Sequence, residues 1–156
     1  MIELNIPGHE TIKLEHLVCD VNGTLAIDGQ LIEGVAKKLS FLRDRLTLHL
    51  LTADTHGQQK LIDQQLNIKA SRIKSGDEAK QKAIYVNNLN PERVIAIGQG
   101  ANDRLMLKTA KIGIAILSTE GLATESFLAA NAIVPDINSA LALIEKPLRL
   151  IATLRK

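Results

Sequence analysis

The stretch HLVCDVNGTLAIDG, His16 to Gly29, runs an apolar segment into a carboxylate and follows it at once with Asn22, Gly23 and Thr24. A strand interior rejects charge, but the carboxyl end of a strand in an open α/β sheet is where ligands and catalytic groups collect. Asp20 therefore reads in two ways, as a catalytic group on the rim of a sheet or as a turn former, and Asp-x-Asn-Gly taken alone serves either. What lies around it decides.

From Leu17 onward, short β-like runs alternate with helical ones. HLVCD, LTLHLLT, ASRIK, RVIAIG, IGIAIL and AIVP read as strands, and IEGVAKKLSFLRDR, GQQKLIDQQL, DEAKQKAIYVNNL, NDRLMLKTA, EGLATESFLAA and INSALALIE as helices. The alternation predicts an α/β fold, a Rossmann-like parallel sheet with helices on both faces. Val, Ile and Leu dominate the strand runs with little polar alternation, as strands buried on both faces require. Ahead of them, IELNIPGHETIKL shows two short alternating runs around Pro7-Gly8 and predicts an N-terminal β-hairpin over residues 1–15. The tail KPLRLIATLRK begins at a proline and predicts a final helix, 147–156, packed on the edge.

With 156 residues the chain suits a single domain over 1–156 with a substantial core and no need of disulfides or metal staples. The formal charge is +2, from 19 Lys+Arg against 17 Asp+Glu, and the basic residues are scattered, which argues against a nucleic-acid partner. Two Phe, one Tyr and no Trp leave no platform on which bases could stack. The lone Cys19 excludes an internal disulfide and fits a reducing compartment; inside an apolar run it reads as core packing. No apolar run approaches the ~18 residues of a membrane span, and MIELNIPGHE lacks the features of a signal peptide, so a cytoplasmic protein with no membrane partner is expected. His9, His16, His49 and His56 share no metal-ligand spacing, which sets zinc aside.

Three predicted strands end in polar residues on one edge of the sheet: Asp20, Thr52 and the GQGAND turn. Strands of a parallel sheet share a direction, so these residues meet at one rim despite their separation in sequence. Gly23 lets the backbone fold sharply there, with amides able to face a phosphate. Lys82, early in a helix, can reach the same rim as a fixed positive charge for a phosphoryl group. Taken singly, Thr52 and Asp103 read as caps and Lys82 as a solvated helix residue. Their joint placement is the signal.

DVNGTL at Asp20 to Leu25, the hydroxyl in LLTADT at Thr52, Lys82 in KQKAIYV and IGQGANDRLML resemble, in order, the four motifs of the haloacid dehalogenase superfamily. The likeness is greatest to the phosphorylation domain of P-type ATPases and its small soluble relatives, and it covers the chain from about Leu17 to Ala142. It implies an aspartyl phosphate formed on Asp20, with Asn22, Thr52 and Lys82 as its catalytic companions. Gly23, Thr52, Ala53 and Lys82 would bind phosphate. Mg2+ would be held by Asp20, the carbonyl of Asn22, Gln99 and Asp103. Lys80 is the rival for the lysine; helical geometry turns it about 200° from Lys82, so only one of the two can face the site.

Two departures temper the resemblance. The phosphatases of this family usually carry Asp where Asn22 stands, as proton donor and base, and the metal-binding Asp of the fourth motif is Gln99. Slow turnover and weakened magnesium binding are therefore expected. The intervals between motifs hold a short flap, LAIDGQLIEG, and no cap domain, so a phosphorylated small molecule or macromolecule would meet an open rim, which a homo-oligomer could cover. The alternative reading is a catalytically weakened phosphate-binding or regulatory domain that docks a protein partner.

Overall fold

The computed structural model describes every residue except 55 and 56, so the end of LLTADT and His56 lie outside the described residues. The chain opens with an antiparallel hairpin, β1 (Ile2–Leu4) and β2 (Ile12–Leu14), as the alternation around Pro7-Gly8 predicts. β3 (His16–Asp20) follows, then a second small hairpin, β4 (Ala26–Ile27) and β5 (Gln30–Leu31), which forms the flap. The remaining strands are β6 (Thr47–Thr52), β7 (Ser71–Arg72), β8 (Val94–Gly98), β9 (Ile112–Ile116) and β10 (Ala132–Val134). They join β3 in a six-stranded sheet of order β10-β9-β8-β3-β6-β7, with each neighbouring pair parallel. β3 is thus central, flanked by β6 and β8.

Among the described residues seven α-helices connect and cover the strands: α1 (Val35–Leu42), α2 (Gln59–Leu66), α3 (Glu78–Asn88), α4 (Arg104–Thr109), α5 (Thr124–Ala129), α6 (Ile137–Glu145) and α7 (Pro147–Leu154). The side chains of each strand divide between two cores because successive residues point to opposite faces. Leu17, Cys19, Ile95, Ile97, Ile112 and Ile114 pack with Leu39 of α1, Ile62 of α2 and Leu141 of α6. Val18, Leu51, Val94, Ala96 and Ala115 pack with Val86 of α3 and Met106 and Leu107 of α4. The second face carries small residues where the first carries isoleucine, which lets α4 lie close to the sheet. Gly113 on β9 marks the nearest approach, since a Cβ there would collide with the carbonyl oxygen of Leu107.

The final helix departs from its expected place on the sheet edge. α7 packs against α6 and β1, and Leu150 is buried in the same cluster as Ile2, Leu4 and Leu14. The N-terminal hairpin offers apolar surface that a two-stranded ribbon cannot bury by itself, and α7 closes over it. Among the described residues no helix is long and apolar enough to cross a membrane.

Beneath the sheet, His16 Nδ1 lies 3.1 Å from His49 Nε2, and His49 Nδ1 lies 3.0 Å from the Tyr85 hydroxyl. Burial, and then the neighbouring His16, push the His49 imidazole down from its ordinary 6.5 to about 4. The folded state therefore favours neutral His49 while the unfolded chain takes up a proton below its ordinary value. The stability this contributes is fully present above pH 6.5 and is lost as pH falls towards 4. Thermal melts across this window should show a shallower loss of melting temperature for His49→Gln than for the natural protein; parallel slopes would refute the assignment.

Candidate functional site

Asp20 ends β3, Thr52 ends the neighbouring β6, and Gly98 ends β8 on the other side, so all three loops open at one rim. After Asp20 the backbone reverses sharply. The carbonyl of Val21 accepts the amides of Thr24, Leu25 and Ala26 at 3.1, 2.9 and 3.0 Å. Gly23 sits at φ 80°, a region glycine enters without strain. Its amide donates to the Ala26 carbonyl at 2.7 Å and so is spent inside the turn, unlike the phosphate-facing amide expected from the sequence. Gly23 also makes room: a Cβ there would collide with both Glu120 Oε2 and Gln99 Nε2.

Lys82 projects from α3 and is 1% exposed. Its Nζ donates to Asp20 Oδ1 and to Asp103 Oδ1, each at 2.7 Å. The second oxygen of Asp20 accepts the Thr24 hydroxyl at 3.1 Å. The second oxygen of Asp103 accepts the amides of Gln99 and Gly100, each at 3.0 Å. Burial by itself would lower the lysine, but the two carboxylates hold it above its usual range. Burial, followed by the charge of Asp103, raises the Asp20 carboxyl well above the ordinary carboxylate range, against the pull of Lys82 and Thr24. One ammonium cannot neutralise two carboxylates, so once Asp20 is ionised the cluster carries a net negative charge. Lys80 points elsewhere, exposed and paired with Asp77 at 2.9 Å, which answers the choice between the two lysines by helix geometry.

Thr52 is buried, and its Oγ1 accepts the Asp54 amide at 2.9 Å and the Asn22 side-chain amide at 3.2 Å. With both lone pairs engaged, the hydroxyl proton remains for donation at the rim, where Ala53 follows. Asn102, in the short turn Ala101–Asp103, donates to Glu78 at 2.7 Å and so ties that turn to α3. Thr24, Glu78 and Glu120 were not singled out from the sequence. Thr24 could have been, since it follows the turn glycine directly, whereas nothing in the chain around Glu120 marks it as a neighbour of Gly23.

Among the described residues no three His, Cys, Asp or Glu side chains cluster as a ready-made metal cage. Asp103, expected among the metal ligands, has its oxygens bonded to Lys82 and to the amides of Gln99 and Gly100, as Asp20 has its own bonded to Lys82 and Thr24. The remaining groups expected as ligands are the Asp20 carboxylate, the Asn22 carbonyl and the Gln99 amide. All are oxygen donors beside a cluster of negative character, a chemistry that fits a hard cation such as Mg2+. The buried thiol of Cys19 is pushed up, chiefly by burial and then by Asp20 and Asp103, which keeps it inert. Replacing Lys82 by Met would leave two buried carboxylates facing each other, with an expected loss of about 3–5 kcal/mol. Denaturant titration near neutral pH should show this, and adding Asp103→Asn should recover part of it.

Residues 63–138 match the family model described as haloacid dehalogenase-like hydrolase. An uncharacterised protein of Methanocaldococcus jannaschii is 39% identical over 92 residues, 56% of this chain and 99% of that one. Phosphoserine phosphatase of Archaeoglobus fulgidus is 29% identical over 119 residues, 73% of this chain but 35% of that protein. Among solved structures, the 3-deoxy-D-manno-octulosonate 8-phosphate phosphatase of Moraxella catarrhalis superposes with a TM-score of 0.65 at 18% identity, over 91% of this chain and 94% of that one. The catalytic domain of the CPx-ATPase CopB-B gives a TM-score of 0.60 at 26% identity, over 74% of this chain and 46% of that one, in keeping with the P-type likeness of the motifs. With the motif residues gathered at the carboxyl end of a parallel sheet, these similarities lead to one assignment: the chain belongs to the haloacid dehalogenase-like hydrolases.

Proposed function

We propose that this protein is a magnesium-dependent phosphohydrolase that forms an aspartyl phosphate on Asp20 and turns over slowly. The observation that carries the reading is the pairing of a buried carboxylate at the end of the central strand with Lys82 at 2.7 Å, beside a Thr52 hydroxyl with its proton left to donate. This arrangement supports Asp20 as the nucleophile, with Lys82 and Thr52 beside it as phosphoryl-binding groups. The similarity to two phosphatases supports a phosphate ester as substrate, and the Moraxella catarrhalis enzyme is solved with a magnesium ion and a phosphate ion.

In the first step an Asp20 oxygen bonds to phosphorus as the bond from phosphorus to the leaving oxygen breaks. Thr52 and Lys82 hold the equatorial oxygens while charge redistributes over them. Asp20, the Asn22 carbonyl and Gln99 would hold Mg2+, which when bound draws charge from the phosphoryl oxygens and lowers the raised Asp20 carboxyl. In the second step water attacks phosphorus, the acyl–phosphate bond to Asp20 breaks, phosphate leaves and the proton of the water passes to solvent. Asn22 has no proton to give in the first step and accepts none in the second. The leaving oxygen must take its proton from water, so aryl phosphates, whose leaving groups are stable as anions, should outrun alkyl phosphates.

Asn22→Asp tests this directly. General acid/base catalysis is typically worth roughly 10²- to 10⁴-fold, and a site with Gln99 in place should gain up to about 10²-fold on alkyl phosphates, with less on aryl phosphates. Alongside, the natural protein with magnesium should bind beryllium fluoride at Asp20, and Asp20→Asn should bind none and hydrolyse nothing. If the variant gains nothing and no beryllium fluoride is bound, the regulatory, partner-docking reading takes the place of this one.

A further inference from the structure

We propose that Glu120 is the second carboxylate of the metal site, supplying the charge that Gln99 lacks, an inference that rests on the magnesium-dependent reading above. Glu120 reaches the Gly23 backbone and the Gln99 side chain from the turn between β9 and α5. Its own amide donates to Ser118 Oγ at 3.0 Å, and the Gly121 amide donates to the Ser118 carbonyl at 2.9 Å. Past the turn, the Ala123 amide donates to the Gln99 carbonyl at 2.9 Å and the Ser126 hydroxyl donates to the Gly100 carbonyl. The segment bearing Glu120 is therefore stitched to the segment bearing Gln99. The two side chains end at the same place, where any Cβ on Gly23 would collide with both.

The side of the site matters. Asn22 sends its side chain across to Thr52, towards β6, where a proton donor for the leaving group would work. Glu120 and Gln99 stand on the opposite flank, towards β8 and β9, beside the Asn22–Gly23 backbone. Charge points the same way. Lys82 balances only one of Asp20 and Asp103, and Asp103 is turned inward. Among the described residues no Lys, Arg or His forms an ion pair with Glu120. Glu120 is exposed, so its carboxylate keeps its charge in water and stands open to a cation beside Gln99 and the Gly23 backbone. Magnesium sites commonly use one or two carboxylates, and Asp20 with Glu120 would make two.

The test is Mn2+ binding to the full chain, followed by electron paramagnetic resonance, with Mn2+ standing in for Mg2+. Glu120→Gln should weaken binding about 10- to 100-fold without lowering the melting temperature of the metal-free protein. In a Gln99→Asp background the same change should cost far less, because the charge has been restored from β8. Asp20→Asn should abolish binding. If the natural protein binds Mn2+ and Glu120→Gln binds it equally well, the role of Glu120 is overturned and the magnesium reading stands. Unchanged binding with a lower kcat and a displaced pH profile would likewise overturn it, making Glu120 a proton-transfer group. If the natural protein binds no Mn2+, both readings fall.

Discussion

Lys82 offers a single positive charge to two buried carboxylates, and most of the architecture serves to hold those three groups together. Asp20 arrives on β3, Asp103 on the turn after β8 and Lys82 on α3, so no local segment could assemble them. An ion triad of this kind is a poor source of stability, because desolvating three charges consumes most of what their attraction returns. Its value is positional. The triad fixes the Asp20 carboxylate at the rim, one oxygen held by Lys82 and the other by the Thr24 hydroxyl, and the apolar packing on both sides of the sheet bears the cost of keeping it dry.

The division of labour around Asp20 follows from strand order. β6 brings the hydroxyl that is free to donate and receives the Asn22 side chain, while β8 brings Gln99 and the anchor for Lys82. In the proposed reaction a substrate entering between them would meet phosphoryl-binding groups on one flank and cation-binding groups on the other. What the site lacks is a titratable group at position 22, which in that proposed reaction would place the limit on turnover in proton transfer, outside phosphoryl transfer itself.

Much of this was legible in the sequence, for identifiable reasons. Runs such as RVIAIG and IGIAIL could only be strands buried on two faces, and polar residues at their ends could only gather on one rim. The choice of Lys82 over Lys80 required knowing which face of α3 meets the sheet, which the helix pattern alone left open. The inward turn of Asp103 was hidden because a carboxylate at a helix start reads equally as cap, ligand or anchor. Gly23 announced a turn, but whether its amide would be spent on Ala26 depended on the path of the flap. Glu120 left no trace at all, since its place depends on how the segment after β9 is stitched to the Gln99 loop.

The close seating of α4 on β9 has a bearing on how sharply the site is defined. α4 begins immediately after Asp103, and at Gly113 it meets the sheet main chain to main chain, with no side chain between. Side chains that separate two elements can change rotamer and let the spacing drift, whereas a backbone contact has no such freedom. The partner of Lys82 is therefore located by a hard stop at the far end of its own helix. Thermal motion in this part of the molecule should displace β9, α4 and Asp103 together as one body, leaving the Asp20–Lys82–Asp103 spacing nearly constant as the flap and the open rim move around it.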